Sequence, residues 1–241
     1  MAGRGSRLKG LSVRLPKPLI PVLGKPMVEW ALGTLDGCSI DRLIFVALEE
    51  HTAKYDLHDL LPSISPYPTE VVSIPSITDG QLCTVLRARS FMDWEEPLLI
   101  ASADTYVVSN LQDDIDAMSP SSKGLISVTD LPGDRWSFVK TDEEGTVLDV
   151  AEKVRISPHA STGLYYFSSG RDFVRMGDAL VRAGRRNRGE YYVIPLYKDY
   201  LKRGWRVDTS RASEMWDMGT PEALVHFEEH WKDKVESVKP G

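Results

Sequence analysis

The opening AGRGSR places Gly3 and Gly5 one residue apart, with Arg7 close behind. Glycines at this spacing let successive backbone N–H groups turn into one concavity, a nest that receives phosphate oxygens; Arg7 can add a forked cationic contact. Further on, Lys17 stands between Pro16 and Pro18, whose fixed φ angles stiffen the segment and hold the ammonium in place. A fixed cation suits a centre where negative charge develops. A carboxylate joins the set at Asp104, which closes the apolar run PLLIASAD and is expected at the end of a strand. Together these residues point to phosphate chemistry. Each also has a plainer role, because glycine pairs are ordinary in turns and an Asp after a strand is a common cap or turn residue.

Such residues need a scaffold. KPMVEWALGTLDG predicts a helix with Pro26 at its start, Met27, Trp30, Ala31 and Leu35 at near-helical spacing, and Gly37 at its stop. RLIFVAL predicts a buried strand, a helical stretch follows to Leu61, EVVSI is another strand, and a helix is expected from Asp79 through Met92. Strands alternating with helices predict an α/β fold built on a parallel sheet covered on both faces, with ligands at the carboxyl ends of strands. In the second half GLISVTDL, SFVKTDEEGTVLDVAEK and STGLYYF predict shorter strands, with Glu144-Gly145 as a hairpin turn, so the sheet there is expected to be mixed. Helices near Arg171 to Ala183 and Tyr191 to Arg203, the strand RVDTS and a last helix from Pro221 complete the pattern, and SPSSKG at Ser119 to Gly124 reads as a surface loop.

The chain of 241 residues is 42% hydrophobic and 27% charged, which predicts one compact domain spanning 1–241. A net charge of −6 argues against a nucleic-acid surface, which needs clustered Lys and Arg. Cys38 and Cys83 have neither metal-ligand spacing nor a disulfide framework. With no apolar run near the roughly 20 residues of a membrane span and no secretory leader, the expected location is the cytoplasm.

Taken in order, AGRGSR, PKPLIPV and GKPM resemble the opening signature of the sugar-phosphate nucleotidyltransferase family, Gly-x-Gly-[Ser/Thr]-Arg followed by Pro-Lys and a Lys-Pro pair. The resemblance covers nearly the entire chain. It implies a Rossmann-like, mostly parallel but mixed sheet flanked by helices, with a nucleotide-binding half at 1–118 and an acceptor-binding half at 119–241. It assigns Ala2, Gly3, Gly5 and Ser6 to the triphosphate, and Arg7 and Lys17 to catalysis. In TDGQLCTVLRA, Gly80 and Gln81 become the nucleobase contacts. LLIASADTYV supplies one Mg²⁺ ligand, Asp104, and MWDMGTPEAL the other, Asp217. AEK and STGLYYF give Glu152, Lys153 and Gly163 to the acceptor, and GEYYVIP adds Glu190. Without the resemblance, Glu152-Lys153 reads as a solvated hairpin end, Asp217 as a helix cap and Glu190 as a dipole-favoured first-turn acid.

The implied reaction is attack by a sugar 1-phosphate on the α-phosphorus of a nucleoside triphosphate, with release of pyrophosphate. It joins two anions, so alignment and charge neutralisation carry it and no protein nucleophile is required. Base and acceptor stay open, with a pyrimidine nucleotide favoured; the alternative is a cytidylyltransferase acting on a non-sugar acceptor such as phosphocholine or an amino-acid amide phosphate. A glycosyltransferase is disfavoured because SADTYV lacks Asp-x-Asp, and a silent nucleotide-binding subunit because Lys17, Asp104 and Asp217 are all retained. Relatives of this type imply a dimer or tetramer. They also imply an apolar first strand ahead of the glycine loop; none precedes AGRGSR, so the reading frame is expected to start farther upstream or the chain to be shortened.

Overall fold

The computed structural model describes residues 15–92 and 95–237, with side chains to 232. A 3-10 turn at Lys17–Leu19 leads into β1 (Pro21–Val22), β2 (Lys25–Pro26) and helix α1 (Met27–Leu32). Then come β3 (Leu43–Leu48), α2 (Glu49–Tyr55), α3 (Leu57–Ile64), β4 (Thr69–Ile74), α4 (Gln81–Leu86), β5 (Leu98–Ile100), β6 (Thr105–Val108) and α5 (Leu111–Asp116). The longer strands β7 (Ser122–Asp130), β8 (Ser137–Thr141), β9 (Val147–Glu152) and β10 (His159–Phe167) follow. Helices α6 (Gly170–Arg182) and α7 (Pro195–Lys202), strands β11 (Arg206–Arg211) and β12 (Glu214–Asp217), and helix α8 (Pro221–Ser237) complete the order.

These elements form two compact units. The first runs to Pro75 and takes in Ser102–Val108 and the chain from Glu214; the second holds Ser76–Ala101 and Ser109–Ser213. In the first unit β3 and β4 pair in parallel, from Leu43 opposite Thr69 to Leu48 opposite Ile74, while β6 and β12 pair antiparallel. Its core gathers Ile20, Val22, Met27, Met218, Leu224 and Phe227, walled by Trp30, Tyr106, Trp216 and Trp231. Trp30 packs edge-on to Phe227 with centroids 5.0 Å apart, and its indole N–H donates to the Val22 carbonyl at 2.8 Å. The half-buried Trp30 indole thus brings a large apolar face to the core while its one donor is satisfied.

The second unit carries a six-stranded mixed sheet in the order β11-β7-β10-β8-β9, with β5 also pairing β10. Only the β7–β11 pair in it is parallel. Phe173, Val174, Met176 and Leu180 recur at helical spacing on α6 and are buried. Ser169 caps that helix by accepting from the Asp172 N–H at 3.2 Å. Phe167 stacks on Tyr197 at 4.7 Å in the same core.

The α/β class and the mixed second half are as expected, and Gly145, with φ 83°, turns the β8–β9 hairpin. Several boundaries differ. The helix expected from Asp79 through Met92 is cut to Gln81–Leu86 plus a 3-10 turn at Arg89–Phe91. The stretch expected to be helical to Leu61 breaks at Asp56, whose φ is 51°, and resumes to Ile64. Ser122 to Gly124, expected in a loop, begin β7; Ser122 is buried and donates to Asp208 at 2.5 Å, which satisfies its hydroxyl inside the sheet. No helix among the described residues is long and apolar enough to cross a membrane.

Candidate functional site

In the first unit the chemistry gathers around Lys17. Pro16 ends extended at ψ 140°, and the Ile20 N–H closes the next turn on the Lys17 carbonyl at 3.1 Å. Buried Pro18 and Leu19 anchor the turn, so the lysine stem leaves from a fixed base. Its ammonium pairs directly with Asp104 Oδ2.

Asp104 does not close a strand as expected. β5 stops at Ile100, and Asp104 sits in the turn that opens β6. Its partner across the chain comes from β12, where Asp217 stands opposite Thr105 and the Met218 N–H donates to the Asp104 carbonyl at 2.9 Å. Backbone pairing thus brings the segment that carries Asp217 against the segment that carries Asp104. Asp217 Oδ1 accepts from the Gly219 N–H at 2.8 Å. A Cβ at Gly219 would lie 2.5 Å from Asp217 Oδ1 and 3.1 Å from Lys17 Nζ. The lysine and the second carboxylate therefore converge on a space that only glycine leaves open.

Thr34 supports this cluster from behind, a residue the motifs do not mark. Its buried hydroxyl donates to the Thr105 carbonyl at 3.4 Å and accepts from the Val107 N–H at 3.0 Å, pinning β6 beside Asp104. Among the described residues no group of three or more His, Cys, Asp or Glu converges as a metal cage. Two carboxylates are instead the hard-oxygen set that suits Mg²⁺, which is held by one or two carboxylates with substrate phosphates and water completing its shell. Ala2, Gly3, Gly5, Ser6 and Arg7 lie outside the described residues.

The second unit brings together the other predicted residues. Gly80, with φ 121° and ψ 179°, precedes α4, and Gln81 opens that helix half-buried. The Tyr191 N–H donates to the Asp79 carbonyl at 2.8 Å, and the Leu82 N–H to the Tyr191 carbonyl at 3.0 Å. These bonds stitch the Gly80–Gln81 step to the segment that carries Glu190. Arg186 braces the junction, pairing with Asp79 at 2.7 Å and lying 4.5 Å over the Tyr191 ring.

Glu152 ends β9 with its carboxylate buried, accepting from the Ser137 hydroxyl. Lys153 follows with φ 54°, and its N–H donates to the Trp136 carbonyl at 2.9 Å. The Lys153 ammonium lies 3.7 Å from Glu152 Oε1 and contacts the Tyr192 hydroxyl, which donates to Glu190 Oε2 at 2.7 Å. Gly163, with φ 89°, sits where the β7–β10 register shifts between Ser161 and Tyr165. Such a bulge re-aims the side chains on either side of it. Ser137 and Tyr192, like Thr34, escape sequence reading. Burial pushes the Tyr165 phenol up to about 12, so it stays protonated beside Ser161 and Ser137.

Burial also raises the Glu152 carboxyl above its ordinary value of 4.5, only partly offset by Ser137 and Lys153. The folded protein therefore binds this proton more tightly than the unfolded chain, and stability falls as pH climbs from 4.5 through the raised value. Glu152→Gln, neutral at every pH, is expected to flatten that part of the curve. Denaturant midpoints from about pH 4 to about pH 8 read it; a variant curve parallel to wild type would place the pH dependence elsewhere.

Residues 1–234 match the nucleotidyl transferase family, and the chain belongs to that family. It is 23% identical over 228 residues to the low-salt glycan biosynthesis nucleotidyltransferase Agl11 of Haloferax volcanii, covering 92% of this chain and 62% of the relative. It is 27% identical over 211 residues to a glucose-1-phosphate thymidylyltransferase of an Actinoplanes species, covering 84% and 66%. The chain thus spans under two thirds of each of these relatives. Its fold matches that of a nucleoside-diphosphate-sugar pyrophosphorylase from Vibrio cholerae RC9 with a TM-score of 0.81 at 22% identity, over 95% of this chain and 98% of that one.

Proposed function

We propose that this protein transfers a nucleoside monophosphate from a nucleoside triphosphate to a sugar 1-phosphate, giving a nucleoside diphosphate-sugar and pyrophosphate. The observation that supports the reading is the Lys17–Asp104 pair, with Asp217 Oδ1 and the Lys17 ammonium meeting over Gly219. An acceptor phosphate oxygen forms a bond to the α-phosphorus, and the bond from that phosphorus to the oxygen bridging to the β-phosphate breaks. Asp104 and Asp217 would hold Mg²⁺, which neutralises charge on phosphate oxygens. Lys17 stabilises charge on the α-phosphate, while the Gly3–Gly5 loop and Arg7 hold the departing pyrophosphate. Gly80 and Gln81 receive the base. Lys153 binds the acceptor phosphate, and Glu152, Gly163 and Glu190 line its sugar.

A quaternary-ammonium acceptor such as phosphocholine calls for aromatic faces open to a cation. In the second unit the protein's own cations cover such faces: Lys153 lies 4.4 Å over Tyr192, Arg135 4.1 Å over Trp136, and Arg186 over Tyr191. That weighs towards an acceptor whose phosphate is carried on an uncharged, polyhydroxylated sugar. The test is pyrophosphate release with Mg²⁺ across the nucleoside triphosphates, including thymidine triphosphate, against several sugar 1-phosphates and phosphocholine. Release with one sugar phosphate fixes base and acceptor together. Release with phosphocholine alone, or with nothing, overturns the reading.

A further inference from the structure

Lys153 has a left-handed backbone, at φ 54°, a conformation that a non-glycine residue keeps only where its surroundings over-determine it. Its N–H is fixed by the Trp136 carbonyl, and its own carbonyl accepts from Arg188 at 3.4 Å. What holds the ammonium is a separate matter. Glu152 is a weak holder, because 3.7 Å is beyond hydrogen-bond reach, its other oxygen serves Ser137, and burial disfavours its charge. Tyr192 offers both a ring face, 4.4 Å from the ammonium, and a hydroxyl in hydrogen-bond contact with it. That phenol is itself locked, since it donates its proton to Glu190 Oε2 at 2.7 Å, and donation to a carboxylate strengthens the same oxygen as an acceptor. Its neighbour Tyr191 is stitched to the Asp79 and Leu82 backbones, which fixes the root of the side chain.

We propose that Tyr192 is a positioning residue: its hydroxyl, aligned by Glu190, holds the Lys153 ammonium where the acceptor phosphate meets it. The proposal rests on the reading of Lys153 as the acceptor-phosphate ligand. A lysine stem has four rotatable bonds, so an unheld ammonium would spend most of its time out of place. Anchoring it before the acceptor arrives removes that ordering cost from binding. When the phosphate arrives, the ammonium can donate to it with a second N–H while the phenol keeps the first, because an ammonium has three.

Tyr192→Phe isolates the bond, keeping the ring and removing the hydroxyl. The first measurement needs no turnover: acylation of Lys153 by an N-hydroxysuccinimide ester, followed by peptide mass spectrometry. Losing one charge-assisted hydrogen bond is expected to speed it about tenfold, with the thermal midpoint held near that of wild type. The second is steady-state kinetics with whichever sugar 1-phosphate supports pyrophosphate release. KM for the acceptor is expected to rise about tenfold while KM for the triphosphate stays put. In a Lys153→Ala background the Tyr192→Phe change should add nothing. A structural role would instead persist in that background. Unchanged acylation, or an effect that survives the loss of Lys153, overturns the proposal. If no pair releases pyrophosphate, the reaction reading falls and the acylation result alone decides whether Tyr192 positions the lysine.

Discussion

On the proposed reaction Lys17→Ala is expected to lower pyrophosphate release by about two to three orders of magnitude, the usual effect of deleting one preorganised electrostatic contact to a developing charge. The same change tightens Mg²⁺ binding in the absence of nucleotide. Both follow from one geometry. The ammonium rests on Asp104 Oδ2, in the place where a dication would approach that carboxylate. Without nucleotide, Lys17 is the cation on Asp104; on the proposed reading a triphosphate would draw the ammonium to itself and leave Asp104 to hold the metal. Rate assays paired with titration calorimetry of Mg²⁺ into nucleotide-free protein separate the two effects. Lys17→Arg keeps the charge and should leave metal affinity near that of wild type. A Lys17→Ala protein within threefold of wild-type rate would reduce the pair to a structural ion bridge.

Gly80→Ala is expected to destabilise the protein by about 3 kcal/mol, the sum of backbone strain and steric conflict. An added Cβ would lie 2.6 Å from the Tyr191 carbonyl oxygen and 2.7 Å from its nitrogen, and backbone atoms cannot rotate away as a side chain would. A φ of 121° is strained for any L side chain. Relief requires breaking the Leu82–Tyr191 and Tyr191–Asp79 hydrogen bonds, so the change should also loosen Tyr192 and weaken the hold on Lys153. Chemical denaturation measures the first effect and Lys153 acylation the second. A Gly80→Ala protein as stable as wild type would mean that the close approach relaxes without loss.

The sequence made the local chemistry readable and hid the long-range register. Lys17, Asp104, Asp217, Glu152, Lys153 and Glu190 each sit in short strings whose order carries the family resemblance. The pairing that puts Asp217 opposite Thr105 is set by strand register between distant segments, and no local pattern encodes it. Asp104 looked like the end of a strand because Leu98 to Ile100 are apolar and Ala101 to Ala103 are small; the chain leaves the sheet at Ile100 and re-enters one only at Thr105. Thr34, Ser137 and Tyr192 were invisible for a related reason: each is one polar group in an otherwise apolar or aromatic stretch, and the partners Val107, Glu152 and Lys153 lie 73, 15 and 39 residues away. The helix expected from Asp79 to Met92 starts only at Gln81, after Gly80 packed against Tyr191, and ends at Leu86, where i to i+3 bonds at Arg87 and Ala88 tighten the chain towards 3-10 geometry.

The first unit is assembled from three separated stretches of chain, with β6 and β12 joined only after more than a hundred residues of the second unit have been made. Translation at roughly 5–20 residues per second therefore delivers Lys17 and Asp104 to the cell many seconds before Asp217 exists. During that interval the second unit can form from nearly contiguous sequence, whereas the first waits on a long loop closure. A nascent chain accordingly cannot pair β6 with β12, or bring Asp217 to Lys17 and Asp104, until its last stretch is made. The register of one short ladder acts as a completion check on the polypeptide itself.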